Sequence, residues 1–209
     1  MLLLPEQFLG FLVAAVVITV SPGPDNLMVL GFGMSRGRAA GIAFGLGCGF
    51  GCLSHTLLAA LGVSALIAAS PPAFLALRLG GGLYLVWLGL RAWRSQGQAR
   101  VATVRGGGEP LSRLFAKGLL ANAINPKVVL FFLSFLPQFI VAGQAHAGWQ
   151  TAQLGLVFTA QAALLFGLLG YFSGSVGQWL QRHARAGVWL DRLAGTIFVA
   201  LGVRMIVAR

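Results

Sequence analysis

The chain has 209 residues, of which 57% are apolar and only 9% charged, against about 25% charged in an ordinary soluble domain. A mean hydropathy of +0.85 with 30 glycines excludes a soluble globular domain, a disordered chain and a coiled coil, none of which can leave so much apolar surface in water. Fifteen basic against four acidic residues give a net charge of +11, but the Lys and Arg lie in short segments between long apolar runs, which fits anionic lipid headgroups and not nucleic acid.

A bilayer crossing takes about 20 mostly apolar residues. The first candidate runs roughly from Phe8 to Met34 with Asp25 as its one charge, and Arg36-Gly37-Arg38 closes it. Met1 to Val20 lacks the basic start and small-residue cleavage site of a signal peptide, and its apolar run continues to Gly33, so it reads as a retained span. The charge-free stretch from Ala39 to Leu77 is too long for one crossing and turns at Pro71-Pro72. Span two is then about Gly41 to Ala69, and span three about Ala73 to Trp93, with Arg78 and Arg91 near its ends.

Ser95 to Glu109, rich in Gly, Gln and Arg, reads as a flexible linker. Span four follows from about Leu114 to Ile140, then a short turn near 143–148, span five from about Trp149 to Phe172, and span six from about Val188 to Val207. Of the Lys and Arg other than Lys127, eleven fall in or at the edges of the loops after spans one, three and five and three on the opposite side. Because cytoplasmic loops carry the excess, both termini are expected outside. Trp93, Trp149, Trp179 and Trp189 fall near span ends, where indole rings favour the interface.

The expected fold is an all-α polytopic membrane protein with six transmembrane helices as two inverted three-helix repeats: residues 1–94, a cytoplasmic linker 95–112, and residues 113–209. Two matches suggest the repeat. Gly82 to Arg91 in span three and Gly195 to Arg204 in span six both read G-x5-L-G-[LV]-R, and Ser21-Pro22 in span one corresponds to Asn125-Pro126 in span four. Three crossings per group make the second group enter from the opposite face, a pattern that places sites at the midplane where helices are broken. The competing explanation is chance, since Gly and Leu are common in such a chain.

Ser21-Pro22-Gly23-Pro24-Asp25-Asn26 sits halfway along span one. Two prolines and a glycine should unwind the helix there. The backbone groups this frees cannot face lipid, so the segment is expected to line protein or a wet cavity, with Asp25 and Asn26 directed into it. Asn122, Asn125, Pro126 and Lys127 form the counterpart in span four. Lys127 lies ten residues past Lys117, roughly 15 Å deeper at helical rise. It either extends back toward water or takes an acidic partner, and Asp25 is the one acid expected near the midplane. An Asp25–Lys127 arrangement could open when an amino acid brings its own carboxylate and ammonium.

His55 near the centre of span two is a candidate proton relay together with Asp25; a helix-packing hydrogen bond explains it as well. Gln161 falls near the centre of span five. The glycines at 37, 41, 45, 47, 49 and 51 read as close helix packing. Gly80-Gly81-Gly82 lacks the strand and helix context of a nucleotide loop. Cys48 and Cys52 stand side by side at i and i+4, a poor disulfide geometry. No hydrolase triad, metal-binding motif or P-loop is present, so neither an enzyme nor a cofactor or metal site is expected.

Taken together, these residues resemble the LysE/RhtB family of amino-acid exporters. The resemblance rests on Ser21-Pro-Gly-Pro-Asp-Asn-Leu27, Ser35-Arg-Gly-Arg-Ala-Ala-Gly41, Gly82-Leu-Tyr-Leu-Val-Trp-Leu-Gly-Leu90, and the stretch from Asn125-Pro126-Lys127 to Phe139, in family order over most of the chain. The family's first motif commonly begins with Thr, and Ser21 keeps the hydroxyl. The resemblance implies a bacterial inner-membrane protein that exports amino acids or close derivatives by proton antiport. Pro22, Gly23, Pro24, Asn125, Pro126 and Lys127 would shape its path. Basic amino acids, homoserine, threonine and leucine are all cargo within the family. Expected partners are an amino acid, protons and membrane lipid, with no nucleic acid and with room for a homo-oligomer. Two other readings are a transmembrane thiol/disulfide electron carrier, which wants a reactive cysteine in each half, and a metal-ion exporter, for which Cys48, Cys52, His55 and Asp25 are sparse ligands.

Overall fold

The computed structural model describes residues 5–63, 70–95, 108–140 and 147–207. The end of the expected second span, most of the expected linker and most of the turn before span five lie outside the described residues. All regular structure among the described residues is helical. α1 (Pro5–Val20) and α2 (Pro24–Arg36) form one bent unit, with 54° between its halves. α3 (Arg38–Leu58) runs on as a π-turn, Ala59–Val63. Gly37, at φ 89°, makes the corner between α2 and α3 in a conformation that a Cβ would oppose.

α4 (Pro71–Trp93) starts at the double proline. Ser70 caps it by accepting a bond from the Ala73 amide at 3.4 Å, and proline in the first turn loses no intrahelical bond. α5 (Leu111–Ala123) is followed by α6 (Pro126–Leu130), which continues as a π-turn (Phe131–Phe135) and a 3-10 turn (Leu136–Phe139). These form a second bent unit, at 50°. α7 (Ala147–Tyr171), α8 (Ser173–Arg182) and α9 (Ala184–Val207) complete the chain.

By length and apolarity, three helices among the described residues can each cross a membrane: α3 with its π-turn, α4 and α7. The two bent units raise the number to five. The region expected as span six is the 24-residue helix α9, which carries Arg185, Asp191, Arg192 and Arg204. The amphipathic α8 was not foreseen. It packs along α2, with Gly33 against Ser173 and Gly177 against Met34.

α3 occupies the middle of the bundle, and its glycines make two stripes. Gly41 and Gly45 let it approach α7, where a Cβ on Gly45 would stand 2.6 Å from Phe166 O. Gly47 and Gly51 let it approach α5, where a Cβ on Gly51 would stand 2.8 Å from the Cβ of Asn122. Without much hydrophobic drive between helices in lipid, such close backbone packing is what holds them together. α4 and α9 pair by the same means. A Cβ on Gly89 would lie 2.6 Å from Gly195 O, and one on Gly202 would lie 2.6 Å from Gly82 O. These are the four glycines of the two G-x5-L-G segments, meeting head to tail.

Below the first break, Phe11 of α1 packs on Phe139 at 5.4 Å between centroids, while Phe131 reaches Phe135 at 5.0 Å and Phe158 of α7 at 5.3 Å. Tilted and edge-on pairs of this kind add about 0.5–1.5 kcal/mol each beyond their burial.

Candidate functional site

A helical carbonyl accepts from the amide four residues on. Pro22 and Pro24 have no amide hydrogen, so the carbonyls of Ile18 and Val20 receive nothing from within the helix. In an apolar interior such groups need other donors. Ile18 O accepts from Lys127 Nζ at 3.1 Å and from Ser21 Oγ at 2.7 Å. Ser21 O also accepts from Lys127 Nζ, at 3.1 Å, and Thr19 O accepts from Asn26 Nδ2 at 2.9 Å. The third oxygen near the ammonium, Ser21 Oγ, is more distant at 3.4 Å.

The second break repeats the arithmetic. Pro126 stands four residues after Asn122, whose carbonyl instead accepts from the Asn125 amide at 2.9 Å and from His55 Nε2 at 3.0 Å. Asn125 caps α6 through its side chain, with Oδ1 accepting from the Lys127 amide at 3.0 Å. The Asn122 side chain donates to Asp25 Oδ2 at 2.8 Å, and its Oδ1 accepts from Cys52 Sγ at 3.5 Å. The carbonyls deprived by Pro22 and Pro126, Ile18 O and Asn122 O, are thus each reached by a basic side chain from another helix.

The structure brings Ser21–Asn26 and Asn122–Lys127 together, with Ser21, Asp25, Asn26, Asn122, Asn125 and Lys127 buried. Asp25 and Lys127, at 4% and 8% exposure, do not form a direct ion pair. Among the described residues the ion pairs are those of Glu109 with Arg36 at 3.5 Å and with Lys117 at 2.7 Å. Carbonyls at the first break, Ile18 O and Ser21 O, hold the ammonium, and Asn122 takes the carboxylate. Gly23 permits the approach of the lysine: a Cβ there would stand 2.9 Å from Nζ. His55 and Asp25 are joined through Asn122, the first to its backbone and the second to its side chain.

Sequence reasoning passed over Thr19. Its hydroxyl donates to Ala15 O at 2.8 Å and accepts from Gln161 Nε2 at 2.9 Å, which links the end of α1 to α7. These bonds fix which way the amides point, and they leave Asn26 Oδ1, Gln161 Oε1 and Asn125 Nδ2 buried without a hydrogen-bond partner. A cleft of about 250 Å³ starts at Thr19 and Asn26, passes Leu165 and Leu169 of α7, and ends at Phe172 and Val176, where α7 gives way to α8.

Glu109 was also passed over. It joins Arg36 at the end of α2 to Lys117 on α5. The bond donated by Lys117, then the charges of Lys117 and Arg36, hold its carboxyl below the usual value. Cys48 and Cys52 are free buried thiols, and among the described residues no group of three or more His, Cys, Asp or Glu is placed to hold a metal ion.

An all-helical, multi-pass membrane protein whose two interrupted helices gather carboxylate, amide, hydroxyl and ammonium groups in its apolar interior has the architecture of a small membrane transporter. The chain belongs to the LysE type translocator family, whose model matches residues 16–209. It is 31% identical over 206 residues to an uncharacterized membrane protein of Pseudomonas aeruginosa, covering 97% of this chain and 95% of that one. It is 30% identical over 199 residues to a leucine efflux protein of Enterobacter sp., covering 95% and 94%. A homoserine/homoserine lactone efflux protein of Salmonella typhimurium is 27% identical over 207 residues, covering 98% of each chain. No solved structure matches.

Proposed function

We propose that this protein exports amino acids across the bacterial inner membrane by proton antiport, through the place where the two broken helices meet. The observation that carries this reading is the Lys127 ammonium seated on Ile18 O, the carbonyl released by Pro22, and on Ser21 O beside it, which joins the two breaks directly. Two of its three protons are engaged at 3.1 Å, and the third points at a distant hydroxyl. That third proton takes the carboxylate of the cargo. Asp25 gains and loses the coupled proton, and His55, on the other side of Asn122, responds to that change. Relatives named for leucine and homoserine efflux support an amino-acid cargo.

Six crossings in two inverted halves, with both termini outside, complete the proposal. The head-to-tail meeting of the four repeat glycines supports the symmetry, and the excess of Lys and Arg after spans one, three and five supports the orientation. Efflux of labelled amino acids from loaded vesicles, with and without a pH gradient, tests cargo and energy source together. Export of an amino acid that quickens when the gradient is imposed is expected; no amino-acid movement under any gradient overturns the reading.

A further inference from the structure

Two of the buried polar atoms without a partner are acceptors, Asn26 Oδ1 and Gln161 Oε1, and both amides are anchored on Thr19. Asn26 is nine-tenths buried and lines the inner end of the cleft. Gln161, Leu165 and Leu169 follow at four-residue spacing and so share one face of α7. A buried acceptor is costly to leave unpaired, which makes this end of the cleft suited to a ligand that only donates. An ammonium group does so.

The remainder of the cleft is apolar. Among the described residues no charged side chain lines it, so a cargo side chain bearing a charge would lose its hydration there and gain no partner. Its volume of about 250 Å³ exceeds the roughly 150 Å³ that admits a benzene-sized molecule. The cleft also has a direction. Its outer end at Phe172 and Val176 lies at the end of the bundle where Met34 of α2 meets α8 and where Arg38 covers the Tyr171 ring at 4.7 Å. That is the basic face assigned above to the cytoplasm.

Resting on the exporter reading, we infer that the cleft receives the cargo's side chain and selects amino acids whose side chains are uncharged and apolar. The α-ammonium donates to Asn26 Oδ1 and Gln161 Oε1, and the side chain lies among Leu165, Leu169, Phe172 and Val176. Specificity then resides in α7 and α8, outside the two broken segments themselves.

The test is counterflow in proteoliposomes holding the purified full-length chain, with labelled leucine, methionine, alanine, homoserine and lysine. The wild type is expected to favour leucine and methionine over lysine by about tenfold or more, since one methylene in an apolar pocket is itself worth about tenfold. Leu169→Trp fills the cleft and is expected to lower the leucine-to-alanine rate ratio about tenfold. Gln161→Leu removes an acceptor and is expected to raise the half-saturating concentration of every amino acid about tenfold. If Leu169→Trp does not accumulate in the membrane, Val176→Trp at the other end of the cleft takes its place.

An unchanged leucine-to-alanine ratio in the cleft-filling variant overturns the inference. Preference for lysine or homoserine in the wild type overturns it as well, while leaving the exporter reading intact. Absence of transport for all five amino acids removes the exporter reading itself.

Discussion

Gly23→Ala is the smallest change that tests how Lys127 is held. The added methyl would stand 2.9 Å from Nζ and 3.5 Å from Cε, whereas non-bonded contacts relax at about 3.5 Å. The ammonium must therefore retreat by about 0.6 Å, which carries its bonds to Ile18 O and Ser21 O from 3.1 Å beyond the roughly 3.2 Å at which N–H···O bonds are made. The backbone at Gly23 offers no relief of its own, being extended at φ −170°, a conformation alanine also adopts. A hydrogen bond to a charged group contributes about 1.5–3 kcal/mol. Losing one lowers occupancy of the held geometry by about tenfold to a hundredfold. Counterflow of labelled amino acid should fall by a similar factor while the protein accumulates normally and remains monodisperse in detergent. Gly80→Ala is the control, because nothing lies within 4 Å of the position its methyl would take. Wild-type rates in Gly23→Ala, or an equal loss in Gly80→Ala, would refute the reasoning.

Asp25→Asn is expected to abolish acceleration by a pH gradient while amino-acid exchange continues, and Lys127→Met to weaken both; full gradient-driven export in both variants rules out their proposed roles. A variant with Cys48 and Cys52 replaced by Ala should still protect cells from toxic amino-acid analogues, and loss of that protection in a correctly inserted protein would favour thiol chemistry. Gly89→Val pushes side-chain atoms into the Gly195 backbone, 2.6 Å from the Cβ position; overpacking of this kind costs about 1–3 kcal/mol, read as a lower melting temperature. The tie of Glu109 to Lys117 and Arg36 stabilises the fold above the ordinary carboxyl value of 4.5 and is lost as pH falls through the lowered folded value. The melting-temperature difference between wild type and Glu109→Gln should therefore be present at neutral pH and vanish in acid. A difference that persists below that range contradicts the linkage.

Much of the site was legible because proline arithmetic is local. Pro22 and Pro126 each deprive a carbonyl four residues back, so both segments were expected to face protein or a wet cavity and not lipid. The glycine stripes on α3 and the turn at Pro71-Pro72 were legible for the same reason. The partner of Lys127 was not. Charge pairing pointed to Asp25, yet the choice among acceptors depends on how two helices with no sequence proximity cross, and there the carbonyls of the first break lie closer. Thr19 was hidden because a threonine in an apolar run looks like ordinary helix packing. Glu109 was hidden within a segment read as unstructured. The amphipathic face of α8 had no signal until α2 supplied the surface it covers.

The seam between α4 and α9 constrains how the molecule can move. Gly82 with Gly202 and Gly89 with Gly195 lock two backbones together at points about two helical turns apart, and neither helix can slide along the other without driving carbonyls into the opposing chain. The pair meets the remainder of the bundle chiefly at the π-turn Phe131–Phe135. Any rearrangement of the bundle is therefore expected to keep the two helices together as a single beam, joined to the rest at that turn, downstream of the second helical break.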